Sequence, residues 1–247
     1  MKIIEYGKGN RDVIMLLHGG GLSWWQYREA AELLQDMYHV VLPVLDGHAE
    51  SGRDFTGIED NAAALIAYID QHFGGSVLLL GGLSLGAQIA AEMLTQRADV
   101  CRYAVLESAL VLPMKLTHWL VKPMIGMSSG LIQQDWFSAL QFKALGIKEE
   151  LRAEYVRDTR KITPGNLIAF LKASTAYLFK PDISRTQAKV FIFVGQKEAP
   201  KMIRSARRLH AAVAGSVMEI KQQMKHGDFS INHAAEYAKT IRNIIRA

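Results

Sequence analysis

A serine lies between two glycines in the stretch Gly-Leu-Ser-Leu-Gly at residues 82–86. The apolar run at 76–80 before it predicts a buried strand, and the pattern at 85–94 after it predicts a helix. A serine on such a tight turn has its hydroxyl exposed at the edge of a sheet, and only small neighbours fit beside it. The positive end of the helix dipole favours an oxyanion there. This context predicts Ser84 as the nucleophile of an acyl transfer.

A glycine-rich turn, Leu-Leu-His-Gly-Gly-Gly at 16–21, follows a second apolar strand. Acyl transfer needs two backbone N–H groups that point at the oxyanion, and glycines let a backbone come close. We expect the amides of Leu85 and Gly20 to be these donors, with Gly21 or Leu22 replacing Gly20 if the turn is wound differently. A phosphate-binding loop is the alternative, but the Gly-x-Gly-x-x-Gly spacing and a Gly-Lys-Ser/Thr ending are both missing.

The general base that a serine nucleophile requires is expected among the eight histidines of the chain. His226 lies in Lys-His-Gly-Asp-Phe at 225–229, between the last predicted strand and the terminal helix. Loops at the carboxyl ends of parallel strands carry the chemistry of such a sheet, so His226 is the predicted base. We expect His18 to brace the glycine-rich turn. Five other histidines fall on predicted surface helices, in a helical insertion or ahead of a strand: His72, His210, His233, His118 and His39.

Two glutamates are candidates for the carboxylate that orients the histidine. Glu198 ends the stretch Gly-Gln-Lys-Glu, directly after the apolar strand at 190–194. Glu107 ends the preceding strand, where a buried carboxylate without a partner is costly and is therefore a second functional candidate. The chain order of serine, acid and histidine favours Glu198. The alternative interpretation of Glu198 is an exposed loop charge paired with a lysine.

Short β-rich runs alternate with helical patterns along the chain, which is typical of a parallel sheet with helices on both faces. Most of these runs are continuous aliphatic stretches, as expected when both faces of the sheet are buried. We predict about seven strands, at 3–6, 13–17, 40–44, 77–80, 103–106, 189–194 and 217–221. The predicted fold class is therefore α/β, with one mostly parallel sheet.

Apolar residues at three- and four-residue steps predict helices between the strands. The clearest covers 58–73, and Thr56 and Glu59 at its start have capping-box spacing. A terminal helix is expected at 230–245, and Pro200 suits the first turn of another helix. A solvated surface explains the basic side of that helix most simply, although phosphate or acidic lipid would also bind there. Its cations are Lys201, Arg204, Arg207 and Arg208.

About 80 residues without a convincing strand separate the strands that end near Leu106 and begin at Lys189. They predict helices near 114–126, 130–145, 148–161 and 164–178. A single crossover helix needs far fewer residues, so we interpret the segment as a helical cap, or lid. The predicted core domain covers 1–110 and 187–247, and the cap at 111–186 is inserted between two core strands. Its apolar side chains either line the cleft or pack onto the core, among them Trp119, Trp136, Phe137 and Phe170.

Length and composition favour one globular α/β domain of 247 residues with a net charge of +5. The positive charge comes with no nucleic-acid motif, so we expect no nucleic-acid partner. The single cysteine, Cys101, excludes an internal disulfide and fits a reducing cytoplasm. No apolar run approaches the roughly 20 residues of a membrane helix, and the first residues do not form a secretory signal. The histidine spacing indicates no metal site.

These features resemble the α/β-hydrolase superfamily, specifically its lid-bearing, esterase-like bacterial enzymes, over essentially the whole chain. The turn at 18–21 resembles the oxyanion turn of that family, 82–86 its nucleophile elbow, and 226–227 its histidine loop. The loop at 46–51 is similar to the Asp-x-x-Gly-x-Gly-x-Ser loop, although imperfectly. The acid at 195–198 is glutamate where the family more commonly has aspartate. Only one strand precedes the second apolar run, so seven strands are expected where the family usually has eight.

The resemblance implies a serine hydrolase with a triad of Ser84, Glu198 and His226, and the residues imply acyl transfer through an acyl-enzyme. Carboxylesterase activity on small or medium apolar esters is the leading hypothesis. Thioesterase, carbon–carbon bond hydrolase or lyase chemistry uses the same residues. A non-catalytic ligand-binding protein of this fold is the alternative from another class. The expected partner is a small-molecule substrate, and no pattern indicates a cofactor, a metal or an oligomeric state.

Overall fold

Seven strands form one sheet in the computed structural model, which describes residues 1–132, 142–143 and 145–246. The strands are β1 (Ile3–Tyr6), β2 (Val13–Leu17), β3 (His39–Pro43), β4 (Val77–Leu83), β5 (Cys101–Glu107), β6 (Lys189–Gly195) and β7 (Val217–Lys221). Their order is β1-β3-β2-β4-β5-β6-β7, with β1 antiparallel to β3 and all other pairs parallel. The predicted α/β class is confirmed, and every predicted strand is present with ends that differ by at most three residues.

Helices cover both faces of the sheet, and three of the predictions made for them differ from the structure. The described helices are α1 (Arg28–Leu34), α2 (Ile58–Phe73), α3 (Leu85–Gln96), α4 (Lys115–Ile132), α5 (Arg152–Thr159), α6 (Pro164–Ala176), α7 (Pro200–Ala212), α8 (Asp228–Asn232) and α9 (Ala234–Arg246). Short 3-10 segments cover Trp24–Tyr27, Glu149–Leu151 and Pro181–Arg185. The terminal helix predicted at 230–245 is divided into α8 and α9, because the backbone leaves the helical region at His233.

The second difference is the start of α2, where the predicted capping box of Thr56 and Glu59 is wrong. The N-cap of α2 is Gly57, and no side chain caps it. Asn61 instead donates from Nδ2 to the carbonyl of Gly57 at 2.8 Å, and its Oδ1 accepts from the amide of Asp46 at 3.1 Å. A buried asparagine therefore fixes the start of α2 to the loop after β3.

Two apolar cores lie on opposite faces of the sheet. On one face, α2, α3 and α7 pack through fully buried side chains such as Leu65, Ile89 and Leu209. On the other face, α1 and α9 pack through Leu34 and Tyr237. Every residue of β2 and β3 is buried, which explains why these strands have continuous aliphatic sequences instead of alternating ones.

The segment between β5 and β6 contains α4, α5 and α6, and none of its described residues forms a strand. Helix α4 continues through Pro123 to Ile132, so the break predicted between the helices at 114–126 and 130–145 is wrong. Most of the second of these predicted helices, with Trp136 and Phe137, lies outside the described residues. Helix α6 packs against α4.

The division into a core at 1–110 and 187–247 and a cap at 111–186 stays a prediction. Within the ranges that the structure describes, no helix combines the length and the apolar character needed to cross a membrane.

Candidate active site

Ser84 lies at the junction of β4 and α3 with φ 53° and ψ −112°, which is an uncommon conformation for a residue other than glycine. Its amide donates to the carbonyl of Glu107 on the neighbouring strand at 2.9 Å, and its carbonyl accepts from the amide of Gln88 at 2.9 Å. The end of the sheet and the first turn of α3 thus hold the strained residue from both sides. Backbone strain of this kind persists only where the surroundings enforce it.

The two glycines around Ser84 are required because backbone atoms occupy the space of a side chain. A Cβ on Gly82 would collide with the backbone of Gly86. A Cβ on Gly86 would collide with the carbonyl groups of Leu17 and His18 at the end of β2. The start of α3 is therefore in direct contact with the glycine-rich turn, as the nucleophile and oxyanion interpretation of the sequence requires.

The amide of Gly20 is the group in the glycine-rich turn that has no acceptor among the described residues. The neighbouring amides are all occupied: Gly19 donates to Oε1 of Gln26 at 2.9 Å, Gly21 to Nε2 of His48 at 3.0 Å, and Leu22 to the carbonyl of Gly19 at 3.1 Å. This arrangement excludes the amides of Gly21 and Leu22 as free donors in this conformation.

Gly20 also lies close to the other expected donor. A Cβ built on Gly20 would be 3.6 Å from Cβ of Leu85, the first residue of α3. The first amides of a helix have no partner within the helix, so that of Leu85 is directed toward the same region. The arrangement has the form of an oxyanion-binding pair, with both donors on the main chain.

Two buried, neutral histidines brace the glycine-rich turn. His18 donates from Nδ1 to the carbonyl of Gly19 at 2.9 Å, and its Nε2 accepts from the amide of Leu45 at 3.0 Å. His48 donates from Nδ1 to the carbonyl of Asp46 at 3.0 Å, while its Nε2 accepts from the turn. Burial lowers the pKa of His18 well below its usual value and that of His48 to about 4. Each imidazole is therefore neutral at pH 7 and can accept a hydrogen bond.

The bracing role of His18 was expected, whereas His48 and Gln26 were not identified from the sequence. Gln26 is buried, accepts from the turn through Oε1, and donates from Nε2 to Oγ of Ser230 at 3.2 Å. It thereby connects the glycine-rich turn to the helix that follows His226. Nothing local marks Gln26, but His48 lies in the loop at 46–51 that resembles a family motif.

His226 and Glu198 form the closest contact between a histidine and a carboxylate at this edge of the sheet. Nδ1 of His226 lies 2.7 Å from Oε2 of Glu198. The other carboxylate oxygen, Oε1, accepts from Oγ of Ser108 at 2.7 Å and from the amide of Gly195 at 2.7 Å. Glu198 is a buried, fully partnered carboxylate, which contradicts its interpretation as an exposed loop charge.

The charges of this pair stabilise each other. Burial raises the pKa of Glu198, but the hydrogen bonds and charge of His226, with those from Ser108 and Gly195, give a net lowering. Burial lowers the pKa of His226, and the hydrogen bond and charge of Glu198 more than offset this, so the pKa is raised. About 44% of the His226 side chain is exposed, which leaves the edge of the ring away from Glu198 accessible.

Glu107 is buried at the same sheet edge but has no hydrogen bond to a histidine. Its Oε1 accepts from the amide of Ser230 at 3.3 Å, and its Oε2 has no partner among the described residues. Burial raises the pKa of Glu107 to about 7, and the nearby charge of Glu198 adds to this effect. A carboxyl group that is about half protonated at neutral pH is less suited to stabilise an imidazolium cation than one that stays ionised.

Ser84 and His226 line one small cavity of about 100 Å³. Its remaining lining is mostly aliphatic or glycine backbone: Gly19, Gly20, Leu22, Leu83, Leu145, Ile147 and Ile231. Phe170 of α6 lies against Gly20 and stacks on His48 with ring centroids 4.6 Å apart, so α6 covers the glycine-rich turn. Within the described ranges, no group of three or more His, Cys, Asp or Glu side chains is arranged to hold a metal ion.

Comparisons with known proteins agree with this architecture. A family model described as the alpha/beta hydrolase family matches residues 14–240. No curated protein has a significant sequence match. Among solved structures, a thermophilic esterase from Thermogutta terrifontis has a TM-score of 0.79 at 16% identity, with 99% of this chain and 92% of that chain covered.

Two further solved structures are similar at the same level. The enol-lactonase from Burkholderia xenovorans LB400 has a TM-score of 0.80 at 14% identity, with 100% of this chain and 96% of that chain covered. The bromoperoxidase from Bacillus anthracis has a TM-score of 0.80 at 16% identity, with 99% and 95% covered. At these identities the similarity shows the fold alone.

Glu198→Gln is expected to lower the pKa of His226. The hydrogen bond and charge of Glu198 hold that pKa above its usual value of 6.5 against the effect of burial. A neutral amide removes the charge and weakens the hydrogen bond, while the burial remains. A pH titration of the His226 Cε1–H resonance by NMR measures the shift, and the resonance is assigned by its loss in His226→Gln.

Glu107→Gln is the matched control, because Glu107 is equally buried but does not contact the imidazole. We expect it to change the pKa of His226 by less than Glu198→Gln does. If Glu107→Gln produced the larger decrease, the pairing of His226 with Glu198 would be wrong.

The stability of the protein is expected to fall with pH below 6.5 partly through His48. The unfolded chain protonates this residue near pH 6.5, but the folded chain does so only near pH 4. The contribution of His48 to the free energy of unfolding is therefore fully present above pH 6.5, and about 2 kcal/mol of this contribution is lost by about pH 5. His48→Gln keeps a donor and an acceptor but cannot titrate, so the free energy of unfolding measured with urea depends less on pH.

His72→Gln provides the comparison for this experiment, since His72 is an exposed histidine at the end of α2. It should leave the pH dependence of the wild-type protein intact. An unchanged pH dependence in His48→Gln would show that His48 does not carry this part of the stability.

Proposed function

The chain belongs to the alpha/beta hydrolase family, as the match over residues 14–240 shows, and from that premise we propose that it is a serine hydrolase, most specifically a carboxylesterase. The observation that carries the proposal is the hydrogen bond of 2.7 Å between Nδ1 of His226 and Oε2 of Glu198. It supports the proposal because His226 lines the same cavity as Ser84. A base that is oriented by a carboxylate and shares a cavity with a strained serine fits nucleophilic catalysis.

In the proposed reaction, Nε2 of His226 takes the proton of Ser84 as Oγ attacks the carbonyl carbon of an ester. Glu198 accepts from Nδ1–H, which fixes the tautomer and stabilises the imidazolium cation. The same proton then moves to the alcohol oxygen as the bond to the acyl group breaks. In the second half of the reaction, His226 takes a proton from water as the water oxygen attacks the acyl-enzyme. The bond between the acyl group and Oγ then breaks, and His226 gives the proton back to Ser84.

The amides of Gly20 and Leu85 are the proposed oxyanion donors. Support comes from the occupied amides of Gly19, Gly21 and Leu22, which leave that of Gly20 available, and from the position of Leu85 at the start of α3. Two preorganised backbone donors of this kind contribute several kcal/mol to stabilisation of the transition state. The bracing by His18 and His48 serves this step, because it keeps the turn in one conformation.

The cavity supports a substrate with a short apolar group next to the ester. A volume of about 100 Å³ holds roughly three water-sized groups, which corresponds to an acyl chain of about three or four carbon atoms. Leu22, Ile147 and Ile231 offer this chain no polar partner. A charged acyl group would lose its hydration there without compensation, so we propose uncharged, apolar esters.

Thioesters, carbon–carbon bonds and lactones are cleaved by the same kind of residues, and similar folds carry several of these activities. The relatives named above include an esterase, an enol-lactonase and a bromoperoxidase. The carboxylesterase proposal rests on the aliphatic lining and on the absence, among the described lining residues, of a charged group other than His226.

We propose a reducing compartment such as the cytoplasm as the site of action. Cys101 is buried, and burial raises the pKa of its thiol to about 12, so it is a packing residue rather than a reactive one.

The segment at 111–186 is the proposed cap over the site, because Phe170 within it contacts the glycine-rich turn.

A fluorophosphonate probe is expected to label the native protein at Ser84, because only an activated serine attacks phosphorus at a useful rate. Labelling should disappear in Ser84→Ala, together with hydrolysis of short aryl esters. Mass spectrometry of the labelled peptide and a colorimetric ester assay measure the two results. Absence of labelling in the native protein would instead support a non-catalytic ligand-binding role.

Ser216→Ala is the matched control for this experiment. Oγ of Ser216 also lies 2.9 Å from Nδ1 of a histidine, His210, but among the described residues neither a carboxylate nor an oxyanion turn accompanies this pair. Ser216→Ala should be labelled as fast as the wild-type protein. Labelling that survives in Ser84→Ala and disappears in Ser216→Ala would refute the proposed nucleophile.

Ile147→Ala is expected to shift the preference of the enzyme to longer acyl chains. Ile147 is buried and lines the cavity, so its truncation adds space for roughly two to three more carbon atoms. The ratio of kcat/KM for a six-carbon to a three-carbon acyl ester should rise about tenfold or more, since each methylene group in a fitted pocket counts for that much. A panel of aryl esters and thioesters of graded length provides the measurement.

Ile162→Ala removes the same atoms from a similarly buried position that does not line the cavity. We expect it to lower stability but to leave the chain-length preference as it is in the wild-type protein. Equal shifts in both variants would mean that the cavity does not hold the acyl chain.

A further inference from the structure

Helix α4 exposes its apolar face to solvent. The apolar face of α4 is defined here as Leu116, Trp119, Leu120, Pro123 and Met127, which fall within an arc of about 100° on the helix. The exposed fractions are 76% for Leu116, 79% for Trp119 and 86% for Met127. A contiguous exposed apolar surface of this kind marks an interaction site more often than an isolated exposed leucine does.

The opposite side of α4 already has its packing partner. Val121 is buried there, and Nδ1 of His118 donates to the carbonyl of Lys172 on α6 at 3.0 Å. The helix is thus fixed to α6 through one side and presents an apolar surface on the other.

The charges on α4 are all positive. The helix contains no aspartate or glutamate, while Lys115 and Lys122 lie along one flank of its apolar face. Neither lysine forms an ion pair within the described residues. When a helix lies on a lipid surface, lysines in such positions extend their ammonium groups toward the lipid headgroups while their stems cover apolar surface.

The basic helix α7 contacts the segment at 111–113, just before α4. Nζ of Lys201 donates to the carbonyl of Pro113 at 2.7 Å, and Oγ of Ser205 accepts from the amide of Val111 at 3.2 Å. Helix α7 also contains no acidic residue, and its exposed Arg204 and Arg207 pair with no carboxylate in the described part of the chain. The two neighbouring elements therefore combine apolar and cationic surface.

We infer that the apolar face of α4, with its flanking lysines, binds the surface of a lipid assembly that carries anionic headgroups. Apolar side chains that enter the headgroup region and cations that meet acidic lipid are the two contributions that interfacial helices combine. A second copy of the chain is the less favourable occupant. If α4 of one copy packed against α4 of another, the lysines of the two helices would repel each other. This inference concerns binding and does not depend on the proposed ester hydrolysis.

Vesicle sedimentation with the full-length Ser84→Ala variant tests this inference, since that variant isolates binding from hydrolysis. The protein should sediment with vesicles of phosphatidylcholine and phosphatidylglycerol and less with phosphatidylcholine alone. High salt should weaken the first interaction by screening the charges. Leu116→Gln and Trp119→Gln, added together, should weaken binding to the vesicles that contain phosphatidylglycerol by about tenfold or more. Lys115→Gln and Lys122→Gln should each weaken it about fivefold.

Leu33→Gln with Met37→Gln is the matched control, because both residues are exposed apolar side chains at or just beyond the end of α1. This pair should leave vesicle binding unchanged, and circular dichroism verifies that every variant is folded. Two results would overturn the inference: no binding to either kind of vesicle, or equal binding with and without Leu116 and Trp119. A dimer of the wild-type protein that Leu116→Gln and Trp119→Gln dissociate, without vesicle binding, would also overturn it.

Discussion

The contact between the start of α3 and the end of β2 is the constraint on which the site depends. Gly86 lies so close to the carbonyl of Leu17 that no side chain fits between them. This approach brings the amide of Gly20, which has no acceptor among the described residues, close to the start of α3, and it holds the strained backbone of Ser84 there. The strain is sustained because a parallel sheet with two covered faces cannot relax locally without loss of its core.

The buried polar groups around this contact differ in charge because their partners differ. Glu198 receives hydrogen bonds at both oxygens and has a lowered pKa, whereas Glu107 has one long hydrogen bond and a pKa of about 7. His18 and His48 donate and accept through opposite ring nitrogens and stay neutral. The same edge of the sheet therefore holds a charged carboxylate that contacts His226 and neutral histidines that fix the backbone of the glycine-rich turn.

Much of the fold follows from local sequence patterns. Short β-rich runs predicted all seven strands. Most of these runs are continuous aliphatic stretches, since a strand that is buried on both faces has no room for polar residues. The glycines at 82 and 86 and the strand–turn–helix pattern identified Ser84 as a special position. Local pattern failed at the start of α2, where the distant partner Asp46 and the side chain of Asn61 replaced a local cap. It failed again in α4, which packs against α6 and continues without the predicted break between residues 126 and 130.

The sequence by itself determined the chemical types at the site and their order along the chain, because the turn that carries Ser84 and the loop that carries His226 are encoded locally. Only the tertiary structure shows that Glu198, and not Glu107, contacts the imidazole of His226, because both residues lie at the same edge of the sheet and sequence order does not fix which side chain reaches the ring. It also shows that the amides of Gly19 and Gly21 are occupied, and it revealed Gln26 and His48, whose roles consist of contacts with residues far away in the chain. Hydrogen bonds between distant segments form only once the core has packed, so no local pattern records them.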